Sequence, residues 1–234
     1  MKNSRPPSSK GTPPPAPPRI RVLLVDDHPI TRQGLRALIG QHERFEICGE
    51  ADGAHQAMEV FGRTKPDVMI ADITLRTTNG IELIKNLKAL APGLIVLVVS
   101  MHDENIYAER ALRAGAQGYL MKHEASEQII TALERIVRGE LYLSERIKEK
   151  ILHRFAQGRA KAMESPIDTL SDREMEVFQL IGGGHSTRQI ADRLCLSTKT
   201  IDSYREHLKL KLGLDGGAEL VRHAIQWSQN QGVA

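Results

Sequence analysis

The sequence predicts an α/β doubly wound, five-stranded parallel sheet followed by an all-α four-helix domain. Three observations carry this. Between residues 19 and 140, apolar runs of strand length alternate with amphipathic stretches of helix length. Several of those runs stop abruptly on a charged or hydroxyl residue, as strands buried on both faces do where their C-terminal ends reach a sheet edge. After Pro166 the apolar spacing is helical only.

Taken in order, residues 1–18, MKNSRPPSSKGTPPPAPP, are rich in Pro and Ser and have almost no large apolar side chain. Such a segment cannot bury enough surface to offset the entropy of ordering, so a disordered tail is expected, with a polyproline docking segment as the alternative. Strands are expected at 20–26, 45–50, 67–72, 94–100 and 118–122. Helices fall between them over His28–Ile39, with Pro29 in the first turn, and over Ala54–Thr64, Gly80–Ala91, Asn105–Ala114 and Ser126–Arg138. In the last of these, Ile130, Leu133 and Val137 form the inner stripe, while Ile129 and Ile136 widen it toward a partner surface or the core. Residues 141–165 begin with helical spacing at Ile147, Ile151 and Phe155, then turn small and charged, which describes a linker helix running into flexible chain.

From 166 to 234 the pattern resolves into four helices. Ser171 and Glu174 make a capping box ahead of Met175, Val177, Phe178, Leu180 and Ile181, and Gly182-Gly183-Gly184 closes that helix. The glycines are not a phosphate loop, because no Gly-Lys-Ser/Thr follows and no strand precedes. Ser186–Leu194 is a short helix, Cys195-Leu196-Ser197 a turn, and Ser197 caps a longer helix over Thr198–Leu212. Two helices so joined make a helix-turn-helix over about 186–212. A last helix spans Ala218–Trp227.

At 234 residues the chain is long enough for two domains with cores of their own. Cys48 and Cys195 stand far apart without metal-ligand spacing, which argues against a disulfide framework or zinc site and fits a cytoplasmic protein. No apolar stretch approaches the roughly 20 residues of a membrane span, and no signal-peptide pattern opens the chain. The net charge of +3 divides into +4 over 1–19, −3 over 20–140, +3 over 141–165 and −1 over 166–234. Nucleic-acid binding must therefore rest on local placement rather than bulk charge.

The chemistry gathers at strand ends. The run from Asp67 climbs through Val68-Met69-Ile70-Ala71 and stops on Asp72, while the first run ends in Asp26-Asp27. By itself Asp72 reads better as a turn cap. Three clustered carboxylates repel one another, however, and call for a hard divalent cation. Ser100 and Lys122 end two further strands. Carboxylate, metal, hydroxyl and ammonium together describe a phosphoryl-transfer site with Asp72 as nucleophile.

Asp26-Asp27-His28-Pro29, Asp72 followed by Gly80, Ser100, and Gly118-Tyr119-Leu120-Met121-Lys122 together resemble the receiver domain of two-component response regulators. The resemblance covers 19–140 and implies a flavodoxin-like strand order 2-1-3-4-5. It also implies Asp72 as the acceptor of a phosphoryl group from a histidine kinase. Asp27, Asp26, Asp72 and the Thr74 carbonyl would be Mg2+ ligands, Ser100 and Tyr119 a switch pair, and Lys122 the holder of the phosphoryl oxygens. One departure is Arg76, where the family usually has Pro; it frees the loop in φ and adds a cation.

LSDREMEVFQLI, STRQIADRLCLSTKTIDSYREHLKLKLGL and AELVRHAI resemble the LuxR-type DNA-binding domain. With the receiver, they place residues 19–228 in the NarL/FixJ class of response regulators. In the recognition helix, Ile201, Leu208 and Leu212 face inward, with Tyr204 partly buried. Lys199, Asp202, Ser203 and Glu206 then point toward bases, with Arg205 and Lys209 flanking them. Leu220, Val221, Ala224 and Trp227 serve as core and, by resemblance, as a dimer surface. The resemblance implies a transcription regulator that homodimerises when phosphorylated and then binds paired sites on double-stranded DNA. A phosphohydrolase with an aspartyl-phosphate intermediate is the rival from another class. It generally carries a second acid two residues after the nucleophile, where this chain has Thr74. A regulator that binds DNA without phosphate is a second alternative.

Overall fold

A computed structural model describes residues 18–75, 78–156 and 166–231. The expected tail up to residue 17, Arg76, the side chain of Phe155 and the linker 157–165 lie outside the described residues. Strands β1 (Ile20–Val25), β2 (Phe45–Ala51), β3 (Val68–Ala71), β4 (Ile95–Ser100) and β5 (Gly118–Met121) form one sheet. All pairings are parallel, in the order β2-β1-β3-β4-β5. Between them run α1 (Pro29–Gly40), α2 (Ala54–Thr64), α3 (Gly80–Leu90), α4 (Glu104–Arg113) and α5 (Ala125–Val137).

Successive strand residues feed opposite cores. Leu23, Val25, Met69, Ala71, Val96 and Val98 pack toward the side of α2, α3 and α4, while Val22, Leu24, Val68, Ile70, Leu97 and Val99 pack with α1 and α5. This period of two, buried on both faces, is why the strands read as unbroken apolar runs. Each large side chain so buried contributes about 1.5–3 kcal/mol. The polar residues that stop the runs are thereby carried to one edge of the sheet.

One expectation needs correction. On α5 the fully buried stripe is Ile129, Ala132, Leu133 and Ile136, whereas Ile130 and Val137 are only partly covered. Ile129 and Ile136 are therefore core, as the default reading of that stripe expects. Small Ala132 lets the helix approach closely on that face, and large-residue spacing alone does not register such an approach. At the start of the expected linker, Tyr142 forms an isolated bridge to Gly118 at the sheet edge. Tyr142 N–H donates to the Gln117 carbonyl at 3.0 Å and its carbonyl accepts from Tyr119 N–H at 2.8 Å. Buried Leu143 and Ile147 then seat α6 (Glu145–Ala156) on the receiver.

After a 3-10 turn at Pro166–Thr169 come α7 (Asp172–Gly182), α8 (Thr187–Leu194), α9 (Thr198–Leu212) and α10 (Gly217–Gln231). Capping boxes at Ser171/Glu174 and Ser186/Gln189 start α7 and α8, and the Ser197 hydroxyl accepts from Thr200 N–H to start α9. Cys195 supplies the left-handed turn residue between the two helices at φ 53°. Val177, Phe178, Ile181, Ile190, Leu194, Ile201, Leu208, Leu220 and Ala224 close the core. A Cβ on Gly182 would collide with the Ala224 carbonyl and the Ser228 hydroxyl, so that glycine sets the α7–α10 approach.

Candidate functional site

β1 ends in Asp26-Asp27 and β3 in Asp72, and because β1 and β3 are neighbours in register (Val25 beside Ala71) the three carboxylates converge. Ligand atoms of Asp26, Asp27, His28 and Asp72 all lie within 4.8 Å of one another. Lys122, one residue past β5, reaches across with Nζ 2.7 Å from both Asp26 Oδ2 and Asp72 Oδ2. The other Asp72 oxygen accepts from the Ser100 hydroxyl at 2.6 Å and from Ile73 N–H at 2.7 Å. Gly80 N–H donates to the Ile73 carbonyl at 2.6 Å, closing the loop beneath the acid. A Cβ at Gly80 would run into the Asp72 carbonyl, so only glycine fits.

Charge sets the protonation of this cluster. Burial, and then the neighbouring Asp26 and Asp72, raise the Asp27 pKa above its ordinary value against the opposing pull of His28 and Lys122. Burial alone would depress Lys122, yet Asp72 and Asp26 outweigh it and hold the ammonium above its usual pKa. Asp27 Oδ1 lies 2.6 Å from His28 Nδ1 but makes no aligned hydrogen bond, which leaves a buried carboxylate oxygen without a hydrogen-bond donor. Such an orphan oxygen beside two more carboxylates is the donor set a hard cation takes.

The expected switch residues sit apart. Ser100 contacts Asp72 directly, whereas the buried Tyr119 hydroxyl donates to the His102 carbonyl at 2.7 Å. Burial, with Asp72 adding to it, raises the Tyr119 phenol well above its usual pKa. Thr74, whose backbone bridges Asn79 on the far side of the loop, has its hydroxyl 2.7 Å from His102 Nε2. His102 and Tyr107 escaped the sequence reading, and His28 was not singled out there as a site residue. It was visible as part of the Asp-Asp-His-Pro run, but its place beside the acidic cluster, with Nδ1 2.6 Å from Asp27 Oδ1, is a matter of ring orientation.

On α9, Ile201 and Leu208 are fully buried, and Tyr204 and Leu212 partly so. Lys199, Asp202, Ser203 and Glu206 are exposed, with Arg205 and Lys209 at intermediate burial beside them. Lys209 Nζ pairs with Glu206 Oε2 at 2.8 Å, and the Ser203 hydroxyl donates to the Lys199 carbonyl at 3.1 Å. Trp227 packs against Phe178 with ring centroids 5.5 Å apart and planes tilted by 59°, so it serves the domain core.

Residues 22–134 match the response regulator receiver domain, and residues 168–224 match the bacterial regulatory proteins of the luxR family. The chain belongs to the response regulators. Its relatives include the response regulator GacA of Pseudomonas aeruginosa, 31% identical over 88% of this chain and 96% of that one. The nitrate/nitrite response regulator protein homolog of Haemophilus influenzae is 32% identical over 84% and 91%. Among solved structures, RcsB from Salmonella enterica serovar Typhimurium bound to promoter rprA with phosphomimetic BeF3- is 25% identical, with a TM-score of 0.58 over 88% of this chain and 98% of that one. As a response regulator with a LuxR-type output, the chain is a transcription regulator and not an enzyme. The acidic cluster lies at the strand ends of the receiver, and the helix-turn-helix lies wholly inside the luxR-family match. Among the described residues, no helix is long and apolar enough to cross a membrane.

Proposed function

We propose that this response regulator is a cytoplasmic transcription factor switched by phosphorylation of Asp72 by a histidine kinase, and that it then binds paired promoter half-sites as a homodimer. The observation that carries the reading is the convergence of Asp72 with Lys122 and Ser100, one on each carboxylate oxygen. A carboxylate oxygen of Asp72 forms the bond to phosphorus as the bond to the leaving group breaks. Lys122, already paired to Asp72, is placed to hold the incoming phosphoryl oxygens, and Ser100 to donate to one of them. Asp26, Asp27, Asp72 and the Thr74 carbonyl are the residues that would hold Mg2+. When bound, that ion supplies positive charge against the phosphoryl oxygens.

On the output side, Lys199, Asp202, Ser203 and Glu206 are proposed to face base edges, with Arg205 and Lys209 on the backbone. The solved RcsB complexes with DNA support this use of the shared fold. The structure of two RcsB dimers on two parallel DNAs supports pairing of protomers. Domain limits follow at about 19–140 for the receiver and 166–234 for the output, with Tyr142 adding an edge bridge to the receiver.

Phosphoryl uptake tests the pocket. Incubated with acetyl phosphate and Mg2+, the wild type should gain a phosphoryl group, and Asp27→Ala should abolish the Mg2+-dependent labelling while its circular dichroism stays native. Because the Asp27 pKa is raised, protons should begin to compete with the cation at a higher pH than at an ordinary Asp, so labelling should fall early on acidification. Undiminished labelling without any divalent ion would contradict the metal assignment.

A further inference from the structure

The turn that presents Asp26 and Asp27 is gripped from outside the acidic cluster. Asp26 N–H donates to the Ala51 carbonyl of β2 at 3.1 Å, and the Asp26 carbonyl accepts from Arg32 Nη1 of α1 at 2.5 Å. Arg32 is held in turn by Glu50, the residue before Ala51, with Nε 3.5 Å from Oε2. The other Glu50 oxygen takes Arg36 Nε at 2.6 Å. The side chain of Arg32 is only 18% exposed, against 63% for Arg36, so the charge-assisted bond from Arg32 to the backbone is the better shielded from solvent ions.

Glu50 reaches α1 because β2 carries a bulge. Val22 pairs with Ile47 but Leu23 pairs with Gly49, so Cys48 is an extra residue in the ladder. Beyond it Gly49 faces α2, where a Cβ would collide with Val60, and Glu50 falls beside Leu24 on the face that packs with α1 and α5. Without the extra residue, the same alternation would set Glu50 beside Val25, on the side of α2, α3 and α4. The bulge thus re-aims one carboxylate toward the two arginines of α1.

We propose that Arg32 is a positioning residue for the metal pocket: it holds the Asp26 carbonyl, with Glu50 steadying its guanidinium, and so keeps Asp26 and Asp27 gathered for Mg2+. This rests on the acidic cluster being the Mg2+ site. Asp26, Asp27 and Asp72 repel one another, and Lys122 bonds only Asp26 and Asp72. Released from its outside anchor, the turn relieves that repulsion by opening, and the cation must close it again with a loss of affinity. Arg32 bonds the backbone of Asp26 and leaves the carboxylate free to take a metal. As a bare charge it would act the other way, because a cation beside carboxylates competes with Mg2+ for them. Anchoring and charge therefore give opposite signs when Arg32 is replaced.

The test is the Mg2+ affinity of the full chain, titrated calorimetrically with Mg2+ alone and no phosphodonor. Arg32→Met keeps most of the side-chain length and removes both charge and donors. It should weaken Mg2+ binding by roughly 10-fold, the lower end for an outer partner of a metal ligand. Arg32→Gln, a milder neutral change on the same helix, should weaken it similarly and carries the test if the Met variant does not fold. Arg32→Lys can still donate to the carbonyl and should bind Mg2+ more tightly than either neutral variant, whereas a bare charge predicts the reverse order. Arg36→Met removes an equal charge from Glu50 but leaves the Asp26 carbonyl held, and should stay within about twofold of the wild type. Unchanged or tighter Mg2+ binding in the folded neutral variants of Arg32 would overturn the proposal, and so would equal weakening in Arg36→Met. A wild type that binds no Mg2+ would contradict the metal site itself, and the positioning role with it.

Discussion

Asp72→Asn should take up no phosphoryl group under conditions in which the wild type gains one that is labile to acid and to hydroxylamine. The substitution is close to isosteric, and the Ser100 and Ile73 donors that now serve Asp72 Oδ1 can serve the amide oxygen equally well. What changes is the second position. An amide nitrogen there faces Lys122 Nζ, a donor against a donor, and Lys122 keeps only its 2.7 Å contact with Asp26. The nucleophilic oxygen pair and its negative charge are gone, and neither Asp26 nor Asp27 can substitute. Asp26 already holds both Lys122 and the His28 backbone N–H, and Asp27 sits on the β1 side of the cluster. Mass spectrometry of the intact chain decides this, and equal labelling of wild type and variant would move the acceptor elsewhere.

The second large effect concerns DNA. With a net charge of −1 over 166–234, the output domain cannot bind tightly by spreading cations over phosphates. Few backbone contacts per protomer are expected, and specific binding should depend on doubling them over two half-sites. Lys209→Ala should weaken all sequences alike and flatten the plot of log affinity against log salt by about one unit of slope per protomer. Lys209 is paired with Glu206 in the free protein, so Glu206→Ala has two consequences. It releases a cation for phosphates, raising non-specific affinity, and it removes an acceptor from the base-facing side. Changes at Glu206 or Ser203 should therefore alter base preference by roughly 1–3 kcal/mol per lost contact. Binding isotherms across salt, with footprints on matched and mismatched sites, check both. Full affinity in a monomeric 166–234 fragment would contradict the need for pairing.

Much of the candidate site is legible in the chain because it is local. Asp26, Asp27, Asp72, Ser100 and Lys122 each close an apolar run, and a parallel sheet carries such ends to one edge whatever the side chains in between. The helix-turn-helix is legible for a similar reason, since Ser186, Ser197 and Gln189 are capping residues acting within one turn. His102 is not, because its partner Thr74 lies 28 residues earlier in a loop without periodicity. Tyr107 reads as an ordinary inward residue of α4, and its hydroxyl gains meaning only from Gln179, 72 residues on. Asp172, Arg173 and Glu176 mislead most directly. Their charges sit where a solvated helix face is expected, yet all three are buried: Asp172 is met by Lys85 and Arg110 across the domain contact, and Arg173 and Glu176 pair with each other along α7. Local pattern records what a helix does with its own core, but not a second surface that another domain covers.

Control by phosphorylation is tested most directly by the equilibrium affinity of the full chain for its selected DNA site. The measurement is made with and without acetyl phosphate plus Mg2+, on wild type and Asp72→Asn in parallel. A coupling of ordinary size, about 1–3 kcal/mol, would tighten wild-type binding by roughly 5- to 150-fold and leave the variant unmoved. Equal tightening in both proteins, or a labelled wild type whose affinity does not change, would contradict control through Asp72.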